Sequence, residues 1–176
     1  MKIFKTPLND AVILEPAVFG DERGFFLESW NKQAFSEAGL TMDFVQDNHS
    51  KSARGTLRGL HCQTEHTQGK LLRVVSGEVF DVAVDLRQAS STFGQWFGIT
   101  LSEQNKKIFW VPPGFAQGFY VTSDSAELLY KCTDYYHPQS EVSLRWDDVD
   151  LGIEWPLVGG EPVLSGKDAR GVGFAD

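Results

Sequence analysis

The sequence predicts a mainly β fold, a barrel or sandwich of short strands with few short helices. Three observations carry this. First, 17 glycines and 7 prolines are dispersed through the 176 residues as turn markers between short apolar runs. Second, the clearest of those runs, EVFDVAVDLR, alternates strictly. Phe80, Val82, Val84 and Leu86 share one face, and Val79, Asp81, Ala83 and Asp85 share the other, as in a wall with an apolar outer layer and a partly polar lumen. Third, no repeat, charge block or low-complexity segment interrupts the pattern, and 41% hydrophobic residues suffice for one core. A single domain over 1–176 follows.

In order, strands are expected over about 11–14, 24–29, 43–49, 56–63, 70–76, 78–86, 95–101, 107–111, 117–123, 126–134 and 142–146. NKQAFSEAG reads as a short helix stopped by Gly39. Ser165 and Asp168 have the spacing of a capping box and predict a second helix start. TMDFVQDNHS and RGTLRGLHCQ are too polar for plain core strands and read as walls of a site.

Net charge is −8, which argues against nucleic-acid binding and against a charged membrane surface. No segment approaches the roughly 18 apolar residues of a membrane span, and the start MKIFKTPLND lacks a signal-peptide core. A cytoplasmic protein is expected, with Cys62 and Cys132 as reduced core residues.

A metal site needs several ligands converging on one point. Cupin barrels typically offer His-x-His followed by Glu, then a distant His after a Pro-x-Gly turn. Here those places read LHCQ and PPGFAQ, leaving His61 with Gln63 and Gln117. One imidazole and two amides predict no metal. The plain reading of His61 is a hydrogen-bonded, half-buried histidine. Arg58 and Lys70 nearby also suit it to proton abstraction from a substrate that becomes anionic. Strict alternation separates Arg58 from His61, so a shared pocket requires a bend or bulge at Gly59.

In AELLYKCTDYYHP, Tyr130 and Tyr136 would lie about 20 Å apart on a regular strand, as ordinary strand aromatics or as contacts for two ends of a long ligand. Arg23 and Glu28 flank a Gly24 turn and read as a surface ion pair. Gln46, Asp47 and Asn48 suit hydroxyl and amide contacts, or a turn. Asp168 reads as a cap or as the carboxylate that orients a histidine.

Taken in order, VFGDERGFFLES, FVQDNHSKS, LRGLHCQ, QGKLLRV, GEVFDVAVDLR, STFGQW, LSEQNK, PPGFAQGF, AELLYKCTDYY, GIEWP and LSGKD resemble the dTDP-4-dehydrorhamnose 3,5-epimerase family nearly end to end. The resemblance implies a cupin-like β-barrel (jelly roll), usually a homodimer, with no metal or organic cofactor. It implies inversion of C3 and C5 in dTDP-4-dehydro-6-deoxy-D-glucose on the route to dTDP-L-rhamnose. By motif, His61 would be the base, Asp168 its orienting partner, Lys70 the stabiliser of the C4 enolate and Tyr130 the acid on the opposite face. Tyr136 would lie near thymine, and Arg23, Glu28, Gln46, Asp47, Asn48, Arg58 and Glu141 would hold nucleotide, phosphates or sugar. The family's usual GFAHGF and LHYQ become GFAQGF and LHCQ here, so Gln117 replaces a histidine at a candidate substrate-binding position and Cys62 an aromatic packing residue. The same motifs fit a 3- or 5-monoepimerase on a related dTDP-4-keto sugar. The competing classes are a silent sugar-nucleotide binder and a metal-dependent oxygenase. IFKTPLNDAVILEP could be an arm exchanged between the two copies of a dimer.

Overall fold

The computed structural model describes residues 1–176 and consists of two antiparallel sheets closed face to face, with one projecting hairpin. In chain order the strands are β1 (Lys2–Lys5), β2 (Val12–Glu15), β3 (Val18–Asp21), β4 (Gly24–Leu27), β5 (Gln46–Ala53), β6 (Leu57–Gln63), β7 (Lys70–Ser76), β8 (Glu78–Asp85), β9 (Trp96–Ser102), β10 (Ile108–Val111), β11 (Phe115–Val121), β12 (Ser125–Cys132) and β13 (Glu141–Ser143). The first sheet runs β1-β2-β10-β7-β12-β5, the second β13-β6-β11-β8-β9, and β3-β4 stand apart. The predicted helix is α1 (Lys32–Glu37), capped by Asn31, whose side chain accepts from the Ala34 amide at 3.1 Å.

The alternation of β8 holds. Val79 and Ala83 point into the central core with Leu72, Val74, Phe109, Phe119 and Leu128, contributed by both sheets. Val82 and Val84 face outward, yet are 0% exposed because the C-terminal segment, through Leu151, Trp155 and Phe174, covers them. A third cluster packs Phe35 of α1 against Leu14, Leu71 and Trp110 on the outside of the first sheet. Both sheets are thus apolar on two faces, and polar residues in the lumen stand out.

Several expectations are corrected. β1 and β3 were not anticipated; both are fully exposed edge segments, so burial writes no alternation into them. The strand expected at 43–49 runs over Gln46–Ala53, because SKSA continues pairing with β12 although it is polar. The predicted C-terminal helix is only a 3₁₀ turn, Asp168–Arg170. The Ser165 hydroxyl accepts from the Asp168 amide at 3.1 Å as a cap would, but the Asp168 carboxylate turns inward instead of closing the box. IFKTPLNDAVILEP contributes β1 and β2, which extend the first sheet beyond β10, and the β3–β4 hairpin stands apart from both sheets.

Candidate active site

The base candidate depends on a break in regular pairing. On β6, His61 pairs with Gln117, whereas Arg58 pairs with Phe119, so three steps on β6 span two on β11. This bulge sits at Gly59, whose φ of +119° favours glycine. The neighbouring backbones are close: a Cβ on Gly59 would stand 2.6 Å from the Gly118 Cα. Gln117 and Phe119 share the inner face of β11, so their partners His61 and Arg58 share it too. The bend required at Gly59 is present.

His61 lines a cavity of about 350 Å³ with Lys70, Tyr130, Tyr136, Gln46, Asn48 and Glu141. Its Nε2 lies 2.6 Å from Asp168 Oδ1, and Asp168 is 3% exposed. Ser143 Oγ donates to the same carboxylate oxygen at 3.4 Å. Burial opposes ionisation of Asp168, but its bonds to His61 and Ser165 outweigh this and lower its pKa. An ionised carboxylate on Nε2 keeps the proton there. Nδ1 is then the ring atom able to take a proton from a ligand.

Lys70 and Tyr130 enter from the opposite sheet. Lys70 pairs with Cys132, and Tyr130 pairs with Leu72 and Asn48, so both come from adjoining positions on β7 and β12. Burial lowers the Lys70 pKa, against the opposing pull of nearby acidic groups. Burial raises that of Tyr130, leaving a neutral phenol able to donate a proton. Beneath Lys70, Asp81 is 0% exposed; its Oδ2 accepts from Gln117 Nε2 at 2.8 Å and its Oδ1 has no partner. Burial raises the Asp81 pKa well above the usual carboxylate range.

The predicted site residues therefore divide. His61, Asp168, Lys70, Tyr130, Tyr136, Gln46, Asn48 and Glu141 converge. Tyr130 and Tyr136 do not stand on one regular strand, because β12 ends at Cys132, and both line the cavity. Arg58 shares the inner face and donates to Ser52 Oγ at 2.8 Å. Gln117 is buried behind the pocket wall with its amide committed to Asp81, rather than facing a ligand. Asp47 alternates outward and pairs with Lys131 at 3.0 Å. Arg23 pairs with Asp21, and Glu28 accepts from Asn31, both away from the pocket around the projecting hairpin. Lys167 was missed: its Nζ lies 2.7 Å from Glu141 Oε1, while Glu141 Oε2 accepts from the Tyr136 hydroxyl at 2.8 Å. Its only sequence signal is its place beside Asp168. No three His, Cys, Asp or Glu side chains are grouped to hold a metal ion.

An imidazole and a phenol that line one cavity from opposite sheets, beside a lysine, suit proton transfer next to a carbonyl. The sequence profile described as dTDP-4-dehydrorhamnose 3,5-epimerase matches residues 5–176. The dTDP-4-dehydrorhamnose 3,5-epimerase of Salmonella typhimurium is 58% identical over 96% of this chain and 93% of its own length. That of Pseudomonas aeruginosa is 56% identical over 100% of this chain and 97% of its own. The crystal structure of dTDP-6-deoxy-D-glucose-3,5-epimerase from Legionella pneumophila in complex with dTDP-4-keto-L-rhamnose superposes with a TM-score of 0.96, at 54% identity, covering 99% of this chain and 93% of that one. With this likeness over its whole length, the chain is an isomerase and belongs to the dTDP-4-dehydrorhamnose 3,5-epimerase family.

Proposed function

We propose that this enzyme inverts C3 and C5 of dTDP-4-dehydro-6-deoxy-D-glucose to form dTDP-4-dehydro-L-rhamnose, in dTDP-L-rhamnose biosynthesis. One observation carries the reading: the base and the acid stand on opposite sheets, His61 on β6 and Tyr130 on β12, and line the same cavity. Protons next to the C4 ketone are removable because the resulting charge moves onto oxygen. His61 Nδ1 takes the proton, and Asp168 stabilises the imidazolium that forms. The Lys70 ammonium holds the enolate oxygen, and Tyr130 returns a proton from the other side of the ring. A base acting alone would return the proton to the face it left, so inversion needs both walls. Each proton-transfer group contributes about 10²–10⁴-fold, and the fixed cation acts where charge develops. Tyr136, with Gln46 and Asn48, faces the nucleoside; Arg58 and Lys167 supply positive charge for the diphosphate. Such a substrate is consistent with an enzyme of the cytoplasm.

The working unit in this reading is a homodimer. Phe19, Phe25 and Phe26 on the β3–β4 hairpin are 67%, 62% and 69% exposed, a patch that a second copy would cover. That arrangement would also give Arg23 and Glu28 a substrate-binding role, at the partner's pocket.

Proton NMR of the reaction with dTDP-4-keto-6-deoxyglucose in D₂O is the test. Deuterium at both C3 and C5 of an L-rhamno product is expected. Label at one carbon only would overturn double epimerisation in favour of a monoepimerase.

A further inference from the structure

Residues 134–137, between β12 and β13, carry Tyr136 to the pocket without any strand partner. Glutamine side chains replace the missing ladder. Gln68 Nε2 donates to the Asp134 carbonyl at 2.8 Å. Gln63 Nε2 donates to the Tyr135 carbonyl at 3.2 Å and to the His66 carbonyl at 2.7 Å. Gln46 Oε1 accepts from the Tyr136 amide at 2.9 Å, and Gln63 Oε1 accepts from the His137 amide at 3.0 Å. Four consecutive residues thus each have one backbone group held by an amide from β5, β6 or the β6–β7 loop.

Gln63 is the hub. It is 7% exposed, and both of its amide atoms are engaged, so it has little left to offer a ligand although it borders the cavity. It also ties the 134–137 segment to the turn at His66. Tyr136 itself is 53% exposed, so packing does not hold its ring. What holds it is this backbone clamp and the bond from its hydroxyl to Glu141. His61 and Gln63 lie two residues apart on β6, so one strand carries the base and the clamp.

We propose that Gln63, assisted by Gln68, is a positioning residue that fixes Tyr136 at the nucleoside end of the site, setting affinity for the thymidine diphosphate moiety and leaving the proton transfers untouched. This rests on the reading of Tyr136 as a contact for the base. Stacking of a base on an aromatic ring is sensitive to the ring's placement, and its loss weakens binding by about tenfold or more. A buried amide network of this kind is cooperative, and breaking it leaves backbone groups unpaired.

The test compares Gln63→Glu, Gln68→Ala, Tyr136→Ala and the Gln63→Glu/Tyr136→Ala double variant. The readouts are kcat, KM, the inhibition constant of dTDP, and thermal stability. Gln63→Glu sets a carboxylate against two carbonyl oxygens. It should raise KM and the dTDP inhibition constant together, about tenfold, with kcat within twofold of wild type. Gln68→Ala, which removes one bond, should do the same by about threefold and serves alone if Gln63→Glu does not fold. Tyr136→Ala should match Gln63→Glu, and the double variant should be no worse than Tyr136→Ala. If Tyr136→Ala weakens binding but the two effects multiply, the positioning role is wrong and the base contact stands. If Tyr136→Ala changes neither constant, the base contact is wrong and the proposal goes with it. A fall in kcat at unchanged KM for either glutamine variant also overturns the proposal.

Discussion

Asp168→Asn removes one charge at the centre of the mechanism and little else. The carboxylate is 3% exposed and its Oδ1 lies 2.6 Å from His61 Nε2. An asparagine oxygen can still accept from Nε2–H, and the backbone bond to Ser165 is unaffected, so the ring keeps its place. What is lost is the attraction between carboxylate and imidazolium, which exists only once His61 has taken the proton. At about 4 Å between charge centres and an effective dielectric constant of about 20, that attraction is about 4 kcal/mol. The asparagine dipole recovers part of it, leaving a loss of about 3 kcal/mol and a kcat about 10²-fold lower, since each 1.36 kcal/mol is tenfold. KM should hardly move, because the neutral imidazole of the ground state loses only a polarised hydrogen bond. The assay is deuterium uptake at C3 and C5 in D₂O, read by NMR together with product formation. Both should slow equally, because both follow from the first proton abstraction. A variant with kcat within threefold of wild type would refute the role given to Asp168. So would a variant that loses product formation while exchange continues at the wild-type rate.

Three further outcomes follow from particular atoms. Tyr130→Phe should separate exchange from inversion: His61 still removes protons and returns deuterium to the same face, so label enters substrate faster than product forms, and parallel loss of both would argue against Tyr130 as the acid. Asp81→Asn should gain thermal stability relative to wild type as pH rises from 4 to 8. The folded-state pKa of Asp81 is raised by burial, so between its unfolded and folded values the native state binds more protons and wild-type stability falls with rising pH; a variant that loses stability relative to wild type over that range would contradict a buried neutral Asp81. Asp85→Asn should cost about 3 kcal/mol, or a melting temperature lower by roughly 6–12 °C. Asp85 is 0% exposed and accepts from Arg87, Ser90 and Thr92. Those bonds hold its pKa below the usual carboxylate range despite burial, so its stabilisation is complete above its unfolded pKa of about 3.9 and fades as pH falls through the folded value. Acid scans of the wild type and the variant should therefore converge at low pH, and a constant difference would remove the carboxylate from the account.

Strands were legible where burial imprints a period. β8 was legible because its outer face is wholly apolar under the C-terminal segment while its inner face mixes Val79 and Ala83 with Asp81 and Asp85, which marked a partly polar lumen. β1 and β3 were not legible because exposed edge strands carry no such imprint. Site residues followed the same logic. His61, Lys70, Tyr130 and Asp168 could be picked out by motif and residue chemistry. Asp47 could not be separated from Gln46 and Asn48, because a run of three polar residues does not say which of them points inward; the pairing of β5 with β12 decides that. Tyr136 was misplaced because extrapolating β12 ignored the turn after Cys132, which depends on glutamines from other strands.

The fold class and the need for a bend at Gly59 were written in local properties of the chain: alternation, residue chemistry and the conformational freedom of glycine. The family and the candidate proton-transfer groups came from the resemblance of its motifs taken in order. Which wall each group stands on follows from the closure of the two sheets. The tertiary structure set His61 and Tyr130 on opposing sheets, turned the Asp168 carboxylate from its own turn to His61 across 107 residues of chain, and buried Gln117 against Asp81 behind the pocket. Facing and distance across a barrel depend on how two sheets close over one core, and no stretch of either sheet contains that information.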